Sequence, residues 1–339
     1  MLKERCYNTC PPSQHHLSHL YDKGEAKEFQ KEVSEIFEDI SCCLEEPAPY
    51  ESHKMEQYLE VQMKANPIPV KDTIDIVTGN RKIQYTDFVI KELGGDFSLT
   101  RTYESLNENK GGLLGSKWFL NIESRVCIKG DTAVVTLPNI YVQQFEKQEG
   151  QWHNKSSFQS PYQLYETPEG FSLYVVGHKR HYQYNQEGYL CYITDENNNR
   201  IALEYADNKL QSIHFVSGQK LSFSYKNGHL STITDAIGRK ICYEYQQELL
   251  TKVELPNKGQ LCYFYNGNGQ IEGIAHGKEK PFCQSEYDAQ GRVVAQKTSK
   301  GEQYTIEYNP EKRVTFCNKD QQAEPTGYFY NSFGFICSV

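Results

Sequence analysis

The sequence predicts an all-β protein of consecutive antiparallel β-hairpins, preceded by a short α-helical segment. Three observations carry that prediction. Tyrosine is unusually abundant, with 25 residues against 24 glycines and 2 tryptophans, and it is a strand-favouring residue. From about Pro67 onward the chain reads as short strand-like runs separated by Gly, Asn and Asp turns. Eight tyrosines also recur in near-constant register, at Tyr184, Tyr205, Tyr225, Tyr245, Tyr265, Tyr287, Tyr308 and Tyr330, with spacings of 21, 20, 20, 20, 22, 21 and 22 residues.

Each repeat has the same grammar. Apolar residues sit four and two positions before the tyrosine, as in Ile201 and Leu203, Leu221 and Phe223, Ile241 and Tyr243, and Leu261 and Tyr263. Period-two alternation puts them on one strand face with the tyrosine. A turn follows, as at Asn185 to Gly188, Asn227-Gly228, Asn266 to Gly269, Asp288 to Gly291 and Asn331 to Gly334. Glycine there supplies the positive φ of a chain reversal. A second apolar pair comes next, such as Leu210 and Ile213 or Leu230 and Ile233, and a second turn returns the chain. Each repeat is therefore a hairpin, and successive hairpins can pair into one antiparallel ribbon. Equivalent strands then lie two strand spacings apart, about 9.6 Å, so Cys242 and Cys262 are column neighbours beyond disulfide reach. The pattern drifts toward the C-terminus: Cys283 and Ser285 replace the apolar pair, Pro310 enters a turn and Pro325 precedes the last unit. Those hairpins are expected to be the least regular.

The first 70 residues differ in character. They hold 7 Lys/Arg against 13 Asp/Glu, leaving 29 against 31 in the rest, so most of the net charge of −8 resides there. Asp22 to Leu44 reads as an amphipathic helix, with Phe29, Val33, Ile36, Phe37, Ile40 and Leu44 on one stripe, Asp22 as its cap and Pro47 as its stop. A second short helix is expected around Glu51 to Ala65. The predicted organisation is an acidic segment over 1–70, a β domain over 71–180 and the repeats over 181–339.

Composition excludes several classes. An apolar content of 38% rules out disorder as the main state, and no apolar run is long enough for a membrane-spanning helix. Met1 to Leu20 has no apolar run after its charges, so a signal peptide is absent as written. Without a basic face, nucleic acid is not expected as a partner. The 11 cysteines are odd in number and irregular in spacing, which fits buried free thiols better than a disulfide framework. Cys6, Cys10, His15, His16 and His19 carry zinc-ligand chemistry, but the intervening loop is far shorter than in a zinc finger, and a frayed polar terminus is the preferred reading.

The repeat unit resembles that of the Rhs/YD-repeat family. Tyr287-Asp288-Ala-Gln-Gly291-Arg292-Val293 matches it closely, and the units at Tyr265 and Tyr184 match with Asn for Asp. Thr234-Asp235-Ala-Ile-Gly238-Arg239 and Thr194-Asp195 fit its mid-repeat segment. Upstream, Asp75-Ile76-Val77-Thr78-Gly79-Asn80, Thr86-Asp87-Phe88, Leu99-Thr100-Arg101-Thr102-Tyr103 and Gly112-Leu-Leu-Gly115-Ser-Lys-Trp118 resemble the DUF6531-type domain that precedes the repeats in Rhs proteins. The resemblance runs from about Ile74 to Val339. It implies hairpin strips spiralling into a hollow shell around a toxic C-terminal domain, delivered to another cell by a specialised secretion system. Eight repeats are too few to close a large shell. No Asp-Pro pair is present, although the family's self-cleavage region is marked by Asp-Pro-x-Gly motifs. The chain therefore resembles the N-terminal part of an Rhs shell.

No catalytic, cofactor-binding or metal site is assigned from the sequence, and no enzyme activity is expected. Gly-x-Ser-x-Gly, His-Glu-x-x-His, a phosphate loop and Cys-x-x-Cys are all absent. Cys42-Cys43 read as buried thiols on the amphipathic helix, Trp118 as a core aromatic, and His214 and His276 as structural residues. Asp195, Asp235 and Asp288 recur with the repeat, which suits turns rather than a unique carboxylate pair. The expected role is a non-catalytic shell or scaffold, partnered by further repeats or a toxin domain on another chain, with self-association through the C-terminal edge strand over residues 304–339. A carbohydrate-binding module is the second reading, and it requires several repeat tyrosines on a solvent-facing surface.

Overall fold

In a computed structural model of the chain, residues 58–62 and 70–339 are described, apart from 93–94, 108–111, 138–141, 156–159, 299, 321 and 333. All of them belong to one compact unit, Pro49–Val339. The helix expected over Asp22 to Leu44, Cys42-Cys43 and the candidate zinc ligands Cys6, Cys10, His15, His16 and His19 lie outside the described residues.

The fold is all-β. A single 3-10 turn, Val176–His178, is the only helical element among the described residues. The first sheet has five strands in sequence order: β1 (Tyr58–Gln62), β2 (Val70–Asp75), β3 (Arg81–Ile90), β4 (Phe97–Glu104) and β5 (Trp118–Leu120). The helix expected around Glu51 to Ala65 is corrected here, because Tyr58–Gln62 pairs antiparallel with β2. An isolated helix of that length gains little, whereas the free edge of β2 offers a ready-made row of hydrogen bonds. The second sheet is a four-stranded meander of β6 (Arg125–Lys129), β7 (Thr132–Thr136), β8 (Val142–Gln148) and β9 (Gln151–Asn154).

The third sheet is open and has 18 strands, each paired with its neighbours in sequence. It begins with β10 (Tyr162–Thr167) and β11 (Gly170–Val175). The eight repeat hairpins follow. The first four are β12 (Arg180–Asn185) with β13 (Leu190–Asp195), β14 (Arg200–Ala206) with β15 (Lys209–His214), β16 (Lys220–Lys226) with β17 (His229–Asp235), and β18 (Lys240–Gln246) with β19 (Leu249–Glu254). The last four are β20 (Gln260–Tyr265) with β21 (Ile271–His276), β22 (Cys283–Tyr287) with β23 (Val293–Lys297), β24 (Gln303–Asn309) with β25 (Val314–Lys319), and β26 (Thr326–Tyr330) with β27 (Ile336–Ser338).

A β-bulge immediately precedes the repeat tyrosine in seven of the eight hairpins, for example between Ser224 and Tyr225 and between Glu244 and Tyr245. The exception is β24–β25, where Tyr308 pairs directly with Thr315; this is the unit whose turn contains Pro310. The drift read from the sequence also shows in the last hairpin, where β26 and β27 share two residue pairs.

Two turn types recur along the ribbon. Asp207-Asn208 and Asn227-Gly228 are two-residue loops with both φ angles positive, at 50° and 60° and at 52° and 90°. That is the type I′ geometry matching strand twist. Five longer loops, starting at Asp195, Asp235, Asn266, Asp288 and Asn331, are built on that residue's side chain. In the Asp288 loop, Oδ1 accepts the backbone N–H groups of Gln290 and Arg292, and Oδ2 accepts Arg292 Nε at 2.8 Å. Asp235 repeats the pattern with Ile237 and Arg239. The Asp-x-x-Gly-Arg segment is thus a self-contained turn.

The core runs through all three sheets. Ile83, Leu99 and Trp118 of the first sheet, Val135 and Phe145 of the meander, and Leu221, Ile241, Leu250 and Ile271 of the repeats belong to one buried cluster. A smaller cluster joins Ile74 and Ile76 to Val293, Ile306 and Cys317 of the sixth and seventh hairpins.

Candidate functional site

The repeat tyrosines form a ladder of cross-hairpin hydrogen bonds. Tyr225 Oη donates to the Leu210 carbonyl (2.8 Å), Tyr245 to Leu230 (2.8 Å), Tyr265 to Leu250 (2.6 Å), Tyr287 to Ile271 (2.7 Å) and Tyr308 to Val293 (2.7 Å). Each acceptor is the first buried residue of the preceding hairpin's return strand. In all five bonds it sits opposite that hairpin's own bulged tyrosine, as Leu210 does with Tyr205 and Leu230 with Tyr225. The first repeat tyrosine bonds outside the repeats instead: Tyr184 Oη lies 2.7 Å from Ser124 Oγ, which donates to the Thr136 carbonyl. Burial raises the Tyr225, Tyr245, Tyr265 and Tyr308 hydroxyls well above the ordinary phenol value, so they remain donors.

None of the eight repeat tyrosines is exposed, and Tyr184 retains 2% of its surface. The other seven are half-buried, whereas the carbohydrate-binding reading requires several of them on a solvent-facing surface.

The residues upstream of the repeats fill this face. Gly79 of the Asp75 to Asn80 segment offers its carbonyl to Val293 N–H of the sixth hairpin at 3.0 Å, and Asp75 Oδ1 shapes that loop by accepting the Val77 and Thr78 amides. Asp87 accepts Tyr243 Oη of the fourth hairpin at 2.6 Å and forms an ion pair with Arg101; both charged side chains are fully buried. Arg101 also lies over the Tyr85 ring, 4.4 Å from its centroid. Tyr103 Oη accepts the Ile271 N–H at 2.9 Å, while Arg81 donates to the Ile271 carbonyl and to Cys283 Sγ. Ser116 N–H donates to the Glu248 carbonyl at 2.8 Å, and a Cβ on Gly115 would lie 2.3 Å from that oxygen. Trp118 packs on Tyr263 and donates its indole N–H to Tyr265 Oη at 3.0 Å.

Every upstream segment that carried the family resemblance is therefore spent on the repeat sheet. The family resemblance implies a hollow shell. Along these hairpins protein occupies the tyrosine face, because the upstream sheet has a matching set of apolar and polar groups to bury.

Glu123 organises the loop between β5 and β6. Its two carboxylate oxygens accept the amides of Leu120 (2.6 Å) and Leu113 (2.8 Å). Burial pushes its carboxyl up to about 7, with the two backbone hydrogen bonds pulling the other way.

The remaining sequence candidates are not brought together. Asp195, Asp235 and Asp288 are each bonded within their own turn. His214 Nε2 touches both Ser212 Oγ (2.9 Å) and Glu204 Oε2 (2.8 Å). A nucleophilic relay needs the carboxylate on the other ring nitrogen, so this trio lacks its geometry. His276 stacks on Phe282 at 4.5 Å. The seven cysteines among the described residues, Cys242 and Cys262 included, are free thiols. No group of three His, Cys, Asp or Glu suited to a metal occurs among the described residues. Sequence reading missed Glu123, and also Arg81 and Ser124, whose partners Ile271 and Tyr184 lie far along the chain and leave no local signal.

Comparison with known proteins matches residues 71–145 to the family described as a domain of unknown function, DUF6531. No curated protein matches the chain. Among solved structures, the Photorhabdus luminescens Tc holotoxin pore is similar at 12% identity and a TM-score of 0.33, over 76% of this chain and 15% of that one. The TcdB2–TccC3 crystal structure is similar at 12% identity and a TM-score of 0.24, over 82% of this chain and 17% of that one. The chain thus spans less than a fifth of the length of those structures, and its match to a described family rests on residues 71–145.

Proposed function

We propose that this chain is a non-catalytic β-scaffold, the part of an Rhs-type toxin shell in which the hairpin wall is closed on its inner face by the upstream domain. The cargo or toxin domain belongs to another segment or another chain. One observation carries the reading: the upstream motif residues that an active site would hold open, namely Asp87, Arg101, Tyr103 and Trp118, are buried and bonded into the wall. Such a face can hold a sheet in register. Further hairpins fit as partners, because among the described strands β27 has one neighbour, β26, and an unpaired second edge is a template for pairing.

Expression in a bacterial cytoplasm tests the absence of activity. Growth is expected to be unaffected, whereas inhibition abolished by a single point substitution would overturn the proposal. Co-expression with a polypeptide of further Tyr-x-x-x-Gly hairpins tests the scaffold role. Co-purification lost on a proline substitution at Cys337 supports it, and persistence of the complex with that variant refutes pairing at this edge.

A further inference from the structure

The chain contains three Asn-Gly pairs among the described residues, at Asn227-Gly228, Asn266-Gly267 and Asn268-Gly269. Asn-Gly is the dipeptide most open to intramolecular attack, since glycine puts no side chain beside the attacking nitrogen. The reaction needs two free groups: the asparagine side chain, to swing onto the backbone, and the N–H of the following glycine.

The three pairs differ in these groups. Asn266 is locked, with Oδ1 accepting the amides of Asn268 and Gln270 (both 3.0 Å) and Nδ2 donating to Gln270 Oε1 (3.3 Å). Asn268 is exposed, but its attacking nitrogen is engaged, because Gly269 N–H donates to the Asn266 carbonyl at 3.0 Å. At the type I′ turn of the third hairpin, Asn227 is exposed and its side chain has no hydrogen-bond partner among the described residues. The Gly228 amide is likewise unbonded, and nothing lies within 4 Å of the position a Gly228 Cβ would take.

We infer that Asn227 is a modification site, converting spontaneously to aspartate and isoaspartate ahead of Asn266 and Asn268. Solvent hydroxide removes the Gly228 amide proton, and the nitrogen forms a bond to Asn227 Cγ. The Cγ–Nδ2 bond breaks and the nitrogen leaves as ammonia after taking up a proton. Water then opens the cyclic imide at either carbonyl, giving aspartate or the isoaspartyl linkage. Aspartate keeps the turn, since Asp-Gly also suits type I′. The isoaspartyl product adds a backbone methylene to a two-residue loop, which disturbs the Lys226–His229 pairing that closes it. It also creates a substrate for enzymes that methylate isoaspartyl carboxylates.

The test is incubation of the full chain at mildly alkaline pH, folded and in denaturant, followed by peptide mass spectrometry and enzymatic isoaspartyl methylation. In the folded chain Asn227 is expected to lead, with the other two lagging by about fivefold for each hydrogen bond that must break first. In denaturant the three rates converge. Leading conversion at Asn266 or Asn268, equal rates in the folded chain, or an inert Asn227 beside reactive denatured peptides would each overturn the inference.

Discussion

Trp118 and Tyr265, 147 residues apart, form the middle of a three-group relay: the indole N–H donates to the Tyr265 hydroxyl at 3.0 Å, and that hydroxyl donates to the Leu250 carbonyl at 2.6 Å. The same oxygen ties the upstream domain to the fifth hairpin and the fifth hairpin to the fourth. Replacing Tyr265 with Phe removes both bonds while keeping the ring. The expected loss is about 1–2 kcal/mol by denaturant unfolding, and a double-mutant cycle with Trp118→Phe should show a coupling of about 1 kcal/mol. Additive effects would remove the relay from the account.

The Asp87–Arg101 pair should behave asymmetrically. Arg101→Met leaves a buried carboxylate held by the Tyr243 hydroxyl, with an expected cost of about 3–5 kcal/mol. Changing both residues to apolar side chains of similar size should restore much of that loss, since the desolvation cost disappears with the charges. Melting of the two single variants and the double variant checks this.

Glu123 makes stability depend on pH in a defined direction. Its carboxyl is raised from 4.5 to about 7 by burial, so between those values the folded chain holds a proton that the unfolded chain has released. Folded protein then binds more protons, and this group's contribution is full below about 4.5 and is lost as pH rises through about 7. Glu123→Gln should flatten that part of the stability profile. Wild type and variant falling in parallel across the window would refute the assignment.

Glycine substitutions should separate docking turns from free ones. A Cβ at Gly188 would lie 1.9 Å from the Val126 carbonyl oxygen, whereas at Gly238 it meets nothing within 4 Å, although both glycines have φ near +80°. Gly238→Ala is expected to cost about 1 kcal/mol from backbone strain alone. Gly188→Ala adds a steric clash and should cost clearly more, with the excess visible as faster amide exchange at Val126, whose N–H donates to the Gly188 carbonyl.

Much of the fold was legible because its determinants are local. Period-two runs around Tyr205, Tyr225, Tyr245 and Tyr265 specify strands and their buried face, and Asp235 and Asp288 close their own turns with groups at most four residues away. The misreading of Tyr58–Gln62 as helical has the opposite cause. Five residues carry too little periodicity to choose a state, and a neighbouring strand edge chose for them.

The sequence by itself determined the hairpins, their count and order, the side of each strand that is apolar, and the absence of any familiar catalytic motif. Tertiary structure alone decided what lies against that apolar side. Val126 meets Gly188, Asp87 meets Tyr243, Trp118 meets Tyr265, Tyr103 meets Ile271 and Gly79 meets Val293, across separations no local pattern encodes. The physical reason is that a hairpin's backbone bonds are satisfied between neighbours in the chain. Its buried face, with tyrosine hydroxyls, bulged carbonyls and apolar rings, can be satisfied only by a surface brought from elsewhere.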